Sequence, residues 1–232
     1  NIKGDVFLVG GAVRDHLLKQ PVNDLDYVVV NGSQASMLAN KFKQVGTSFP
    51  VFLHPATGSE YALARVERKT GLGYGGFEVL TDGVSLAQDL SRRDFTINAM
   101  AMRDDGTIID PFNGQHDLEH GIIRHVTSAF RDDPLRVLRA ARFAARYNFK
   151  IADDTIAAAK KVSKADFDAL PTERIFLELK KATEQCTLSF FFRELDNLGA
   201  AHILKRVICQ WDLDSWGAPL GPFSPDSKLA SL

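Results

Sequence analysis

Short apolar runs broken by glycine and proline fill the first half of the chain, and helical spacing fills the second. Val6-Phe7-Leu8-Val9 is an uninterrupted apolar run ending on Gly10-Gly11, which predicts a strand and a turn. Helical spacing over residues 12–19 stops before Pro21, whose ring cannot continue a helix. Residues 26–30 predict a strand, 33–42 a helix, 51–53 a short strand and 60–66 another strand. Turn-forming residues cluster at 55–59 and 104–106. Beyond Arg131 the pattern is helical throughout. Asp133 before Pro134 marks one helix start, with a carboxylate cap and proline in the first turn. Pro171-Thr172-Glu173 marks a second, with Thr172 as its cap. Residues 211–232 hold three Pro and two Gly, and the periodicity fades. The pattern thus divides the chain into an α+β head at 1–128, a helical part at 129–210 and an irregular segment at 211–232.

Composition narrows the class without naming a function. The 232 residues are 45% hydrophobic and 25% charged with a net charge of -1, which excludes a disordered chain and leaves one or two domains. No run approaches the roughly 18 apolar residues of a membrane span. The chain starts without Met and without the apolar core of a leader, which fits a trimmed start. Cys186 and Cys209 have no CxxC spacing, so a cytoplasmic, reducing location is expected.

Four segments carry candidate chemistry. In Gly10-Gly11-Ala12-Val13-Arg14-Asp15 a glycine pair between strand and helix lets main-chain N–H groups approach an anion, and Arg14 lies one turn further on. The competing interpretation is a plain turn with Arg14 paired to Asp15. In Asn23-Asp24-Leu25-Asp26 two carboxylates two residues apart point the same way if the strand includes both. Like charges there are costly without a cation, and Mg²⁺ favours a few carboxylates plus substrate phosphates. Glu60 opens the next strand and is a candidate third carboxylate, although an exposed surface glutamate explains it better. Arg92-Arg93-Asp94 precedes a short apolar helix with Asn98 on its inner side; arginines suit phosphate and Asn98 a ribose hydroxyl. Arg136, Arg139, Arg142 and Arg146 recur every three or four residues after Asp133, on about a third of a helix circumference. Such stripes are usually solvated, but Leu138, Phe143 and several alanines border this one. Asp133 and Arg136, one turn apart, offer an acceptor and donors to one base edge. Glu173, Arg174 and Glu178 are explained by pairing within their own helix.

Other signals fail. Gly71-Leu72-Gly73-Tyr74-Gly75-Gly76 is followed by a strand pattern rather than the helix of a dinucleotide site. His116 and His120 lack the companions of a zinc site. Phe190-Phe191-Phe192 suits a core better than a base-stacking platform.

Taken in this order, the segments resemble the bacterial class II tRNA nucleotidyltransferases, the CCA-adding enzymes, within a polymerase-β-like superfamily that includes bacterial poly(A) polymerases. The likeness runs from about Val6 to Ala201. It implies a polymerase-β-like nucleotidyltransferase head with a small mixed sheet, then an all-α neck and part of a body. It implies template-independent transfer of CMP and AMP from CTP and ATP to the 3′ end of tRNA, releasing pyrophosphate. By this resemblance Asp24 and Asp26 hold catalytic Mg²⁺, with Glu60 in the place of a third carboxylate. Gly11 and Arg14 take the triphosphate; Arg93, Asp94 and Asn98 contact sugar and phosphate. Asp133 and Arg136 select the base, Arg139 and Arg142 fall at nucleotide-binding positions, and Glu173, Arg174 and Glu178 support the selecting helix. Asp132 departs from the glutamate of the family signature, and residues 211–232 do not resemble the family's further helices. The rivals are poly(A) polymerase, an enzyme adding only CC or only A, and an inactive RNA-binding remnant. The segment from Glu67 to Phe77 resembles the flexible loop of complete CCA-adders and argues against a CC-only enzyme.

Overall fold

The computed structural model describes residues 2–22, 24–46, 50–69 and 77–204. The glycine-rich run at 71–76, residues 211–232, Asn23 and Cys209 lie outside them. The head opens with Asp5–Val9 (β1), Gly11–Leu17 (α1), Asp26–Val30 (β2), Gln34–Ala39 (α2), Lys43–Val45 (β3), Val51–Leu53 (β4) and Glu60–Leu63 (β5). Val66–Lys69 (β6) and Phe77–Leu80 (β7) pair with each other ahead of Leu86–Ser91 (α3). Ala101–Met102 (β8), Ile108–Ile109 (β9), Gly114–Glu119 (α4) and Ile122–Ile123 (β10) complete the first half. The second half holds Leu135–Tyr147 (α5), Lys150–Ile151 (β11), Asp153–Ala159 (α6), Lys164–Asp168 (α7), Thr172–Gln185 (α8) and Leu188–Asn197 (α9).

Among the described residues the main sheet runs β3-β4-β5-β2-β1-β8-β9, antiparallel except where β2 and β5 lie parallel. Alternation along β1 and β2 sends Phe7, Val9, Val28 and Val30 to one face, where they pack with Leu90 of α3. Val29 and Leu63 point to the other face and pack with Met37 of α2, Phe42 and Phe52. Asp26 shares the face of Val28 and Val30, at the open end of β2.

Several expected boundaries shift for identifiable reasons. The strand expected over 60–66 is two strands. The Ala64 N–H still donates to Val29 (2.9 Å), but the Arg65 N–H donates to the Asp89 carboxylate (3.1 Å), which ends the ladder. The helix expected over 33–42 is shorter: Ser33 caps it by accepting from the Ser36 N–H, and Lys41 at φ 63° ends it. The short helix expected after Arg93 is a 3₁₀ turn at Thr96–Asn98. Thr172 lies inside α8 instead of capping it, with Pro171 before it. The second half is not wholly helical either. Asn148, at φ 55°, stops α5, and the chain returns to pair β11 parallel with β10.

One core crosses residue 128. Val13, Phe95, Ile97 and Met100 of the first half pack with Leu138, Phe143, Ile175 and Phe191 of the second. Each such side chain contributes about 1.5–3 kcal/mol on burial, so burial across residue 128 ties the head to the helices.

Candidate active site

The register of β1 on β2 (Leu8 opposite Tyr27) brings the end of β1 beside the residues that enter β2. The glycine turn therefore lies alongside Asp24 and Asp26. Gly10 has φ 71°, and a Cβ there would stand 2.8 Å from the Nη1 of Arg93. The bare backbone admits that guanidinium. Gly11 is bare for a parallel reason: a Cβ would come within 3.3 Å of the Arg14 guanidinium packed beneath it.

Only Asp26 of the expected carboxylate pair is in the strand; Asp24 precedes it. In the parallel pairing Asp26 sits opposite Glu60. The Asp26 carboxyl is pushed above its ordinary range, first by partial desolvation, then by Glu60 and Asp24, with Arg93 opposing. Among the described residues no three His, Cys, Asp or Glu side chains stand close enough to hold a metal together. Glu60 therefore acts on Asp26 through its charge. Two hard oxygen donors with little compensating cation suit Mg²⁺, which completes its shell with water and substrate phosphate.

A buried network backs these strand ends. Arg14 is 5% exposed; its Nε donates to Asp15 (2.8 Å) and its Nη1 to the Asn98 side-chain oxygen. Asn98 donates to Asp94 (3.0 Å), whose other oxygen accepts from Arg139 (2.7 Å). Arg139 and Arg142 both reach Glu178, Arg142 at 2.7 Å, and Arg142 also donates to Gln185. Burial opposes ionisation of Asp94, yet Arg139, Asn98 and Arg136 outweigh it and bring the carboxyl down to about 2. The same acids hold the Arg139 guanidinium well above its ordinary range despite burial.

Pro134, not Asp133, occupies the cap position of α5, so the expected start shifts by one residue; Asp133, just before it, accepts from the Leu135 N–H (3.2 Å) and from both terminal nitrogens of Arg174 (2.8 and 3.3 Å). Arg136 donates to the carbonyls of Ala129 (3.1 Å) and Arg92. Glu173 stands exposed in the first turn of α8. The structure thus joins Gly11, Arg14, Arg93, Asp94 and Asn98 to the carboxylate end of β2. It sets Asp133, Arg136 and Arg174 at the start of α5, and gives Arg142 to a strut between α5 and α8.

Sequence reasoning missed Asp89. This fully buried carboxylate accepts from the Arg65 N–H, Arg92 (2.8 Å) and Arg93 (3.3 Å). Its spacing of three and four residues before the two arginines was the available signal. The Nε of Arg93 is buried without a hydrogen-bond partner, on a guanidinium already drawn toward Gly10 and Asp26. His116 of α4 stacks on His120, the residue just after that helix (4.1 Å between centroids). Phe191 is core, as its pattern suggested.

The model of the poly A polymerase head domain matches residues 6–124. The multifunctional CCA protein of Pseudoalteromonas atlantica is 53% identical over 214 residues, covering 90% of this chain and 53% of that protein. That of Neisseria gonorrhoeae is 54% identical over 200 residues, covering 85% of this chain and 49% of its own length. The chain therefore spans about half the length of these curated relatives. The Bacillus stearothermophilus CCA-adding enzyme in complex with CTP superposes with a TM-score of 0.67 at 33% identity, over 85% of this chain and 48% of that one. The Thermotoga maritima CCA-adding enzyme complexed with tRNA gives 0.68 at 29% identity, over 87% and 48%. Among the described residues no helix is long and apolar enough to cross a membrane.

Proposed function

The chain belongs to the poly A polymerase head domain family, and on that premise we propose that it carries the nucleotidyl-transfer site of a CCA-adding enzyme. Its substrates are CTP, ATP and the 3′ end of tRNA, and its location is the cytoplasm. The observation that carries this is the juxtaposition at the adjoining ends of the central strands β1 and β2. An acid crowded by like charges, Asp26, lies beside a glycine turn underlaid by Arg14 and approached by Arg93. Solved structures similar to this chain are CCA-adding enzymes bound to CTP, ATP and tRNA.

Asp24 and Asp26 would hold Mg²⁺ at these strand ends. When bound, such a cation supplies charge that favours ionisation of the attacking hydroxyl and steadies the pyrophosphate leaving group. The chain's own residues position the nucleotide. Gly11 lets the main chain close on the triphosphate, with the Arg14 charge fixed beneath. Arg93 brings its guanidinium charge, Nη1 foremost, to the glycine turn for phosphate, and Asn98, braced by Asp94 and Arg14, faces the ribose. Asp133 and Arg136 present an acceptor and donors to the base edge. Cytosine and adenine both pair an exocyclic amine with a ring-nitrogen acceptor, so both fit; uracil and guanine leave these groups unpaired. Arg139, Arg142 and Glu178 hold the selecting helix on its neighbour, with Glu173 and Arg174 at the start of that neighbour.

The test is incubation of the chain with Mg²⁺ and tRNA lacking its CCA end, with CTP and ATP singly and together, followed by product sequencing. The expected products are CC with CTP alone and CCA with both. Runs of AMP without CMP would replace this reading by poly(A) synthesis. Failure to bind either triphosphate would overturn the site itself.

A further inference from the structure

We propose that Tyr147 is a positioning residue for the triphosphate cradle, acting through Arg14 and Asp15; this rests on reading Gly11 and Arg14 as that cradle. Phe143 and Tyr147 lie one turn apart on α5, with ring planes 5° from parallel and centroids 6.0 Å apart. The Arg14 guanidinium sits 5.2 Å from the first centroid and 5.3 Å from the second. Such contacts hold a planar cation in place, more firmly where water is excluded.

The edge of the guanidinium is fixed as well. One oxygen of Asp15 accepts from Arg14 Nε (2.8 Å) and from the Tyr147 hydroxyl (3.3 Å), and stands 2.8 Å from Arg14 Nη2 as an ion pair. On the other side Nη1 donates to Asn98. Gly11 closes the top, since its missing side chain lets the guanidinium lie directly under the turn. Tyr147 serves twice in this arrangement: its ring is one of the two aromatic contacts, and its hydroxyl keeps Asp15 turned toward Arg14. Burial raises the phenol above its ordinary range, so the hydroxyl stays protonated and able to donate at neutral pH.

The consequence is a helix with a task at each end. Asp133 and Arg136 stand at the start of α5, and Tyr147 is its last residue. At 1.5 Å per residue, Arg136 and Tyr147 are roughly 16 Å apart along the axis. A shift of α5 therefore moves the base-selecting groups and the support under the phosphates together.

The experiment compares Tyr147→Phe, Tyr147→Leu, Arg14→Ala and the Arg14→Ala/Tyr147→Leu double variant, each checked for folding by circular dichroism. Equilibrium binding and steady-state kinetics are measured with CTP and ATP. Tyr147→Phe is expected to weaken both nucleotides equally, about two- to fivefold, through loss of the hydroxyl. Tyr147→Leu is expected to weaken both about three- to tenfold, with kcat within about twofold of the parent. The double variant should bind no worse than Arg14→Ala, because Tyr147 acts through that arginine. Normal binding by both folded Tyr147 variants, beside weak binding by Arg14→Ala, overturns the inference and leaves the cradle standing. Additive losses in the double variant overturn it too. Normal binding by Arg14→Ala overturns the cradle, and the inference with it.

Discussion

Asp26, at the open end of β2, and Asp94, in the turn after α3, are neighbouring carboxylates in opposite circumstances. Asp94 is 7% exposed and satisfied: the Phe95 N–H, Asn98 and Arg139 donate to it, and its carboxyl titrates near 2. Asp26 stands open at the end of its strand with Glu60 opposite and Asp24 two residues before, and its carboxyl is pushed up. One acid has its cation built in; the other is left wanting one. The contrast separates a strut from a candidate site, because protein charges hold Asn98 and α5 in place while the acid proposed to hold Mg²⁺ is kept short of partners.

The sharpest way to break the comparison is to neutralise the unsatisfied member. Asp26→Asn should cut nucleotide incorporation by about a thousandfold, roughly 4 kcal/mol of barrier, while the fold survives. A folded variant that still adds nucleotides at a near-parental rate removes Asp26 from the chemistry.

Neutralising the satisfied member should act on stability instead. Asp94→Ala leaves Arg139 bonded to Glu178 without its closer acid and strips Asn98 of its acceptor, at a cost of about 3 kcal/mol in urea unfolding. The folded-state pKa is depressed, so the contribution is fully present above the ordinary carboxylate value of 3.8 and lost as the pH falls through about 2. A parent-to-variant difference that does not shrink between pH 5 and the acid limit, in the same order as this loss of charge, contradicts the assigned pairing.

The smallest effect has the opposite sign. A raised folded-state pKa means the native protein binds more protons than the unfolded chain, so ionising Asp26 lowers stability as the pH rises. Asp26→Asn should therefore stabilise the protein at pH 7, by less than about 1 kcal/mol because solvent screens an open carboxylate. The gain should vanish below pH 4, where the parent is protonated too. Thermal denaturation at both values would expose a loss of stability at pH 7, which the crowding of Asp26 does not allow.

Local pattern made much of the head legible. Asp26–Val30 has the expected limits because Val28, Val29 and Val30, buried on both faces of a central strand, read as an unbroken apolar run. The β5–β6 break was not legible, because what ends the ladder is the bond from the Arg65 N–H to Asp89, 24 residues away. The arginine stripe of α5 shows the same limit. Its spacing and apolar borders were visible, but Arg139 meets Asp94 across 45 residues and Arg142 meets Glu178 across 36. Periodicity reports which residues share a face, and only the assembled fold reports what that face meets.

The parallel pairing of β10 with β11 has a consequence for synthesis. Ile122 and Ile123 cannot find their partners until Lys150 and Ile151 have left the ribosome, and Arg142 waits further for Glu178 and Gln185. At about 5–20 residues per second, those final contacts become available roughly 3 to 12 seconds after residue 124 is made. During that interval the nascent head carries a half-built core whose apolar surface is open to solvent and to other chains.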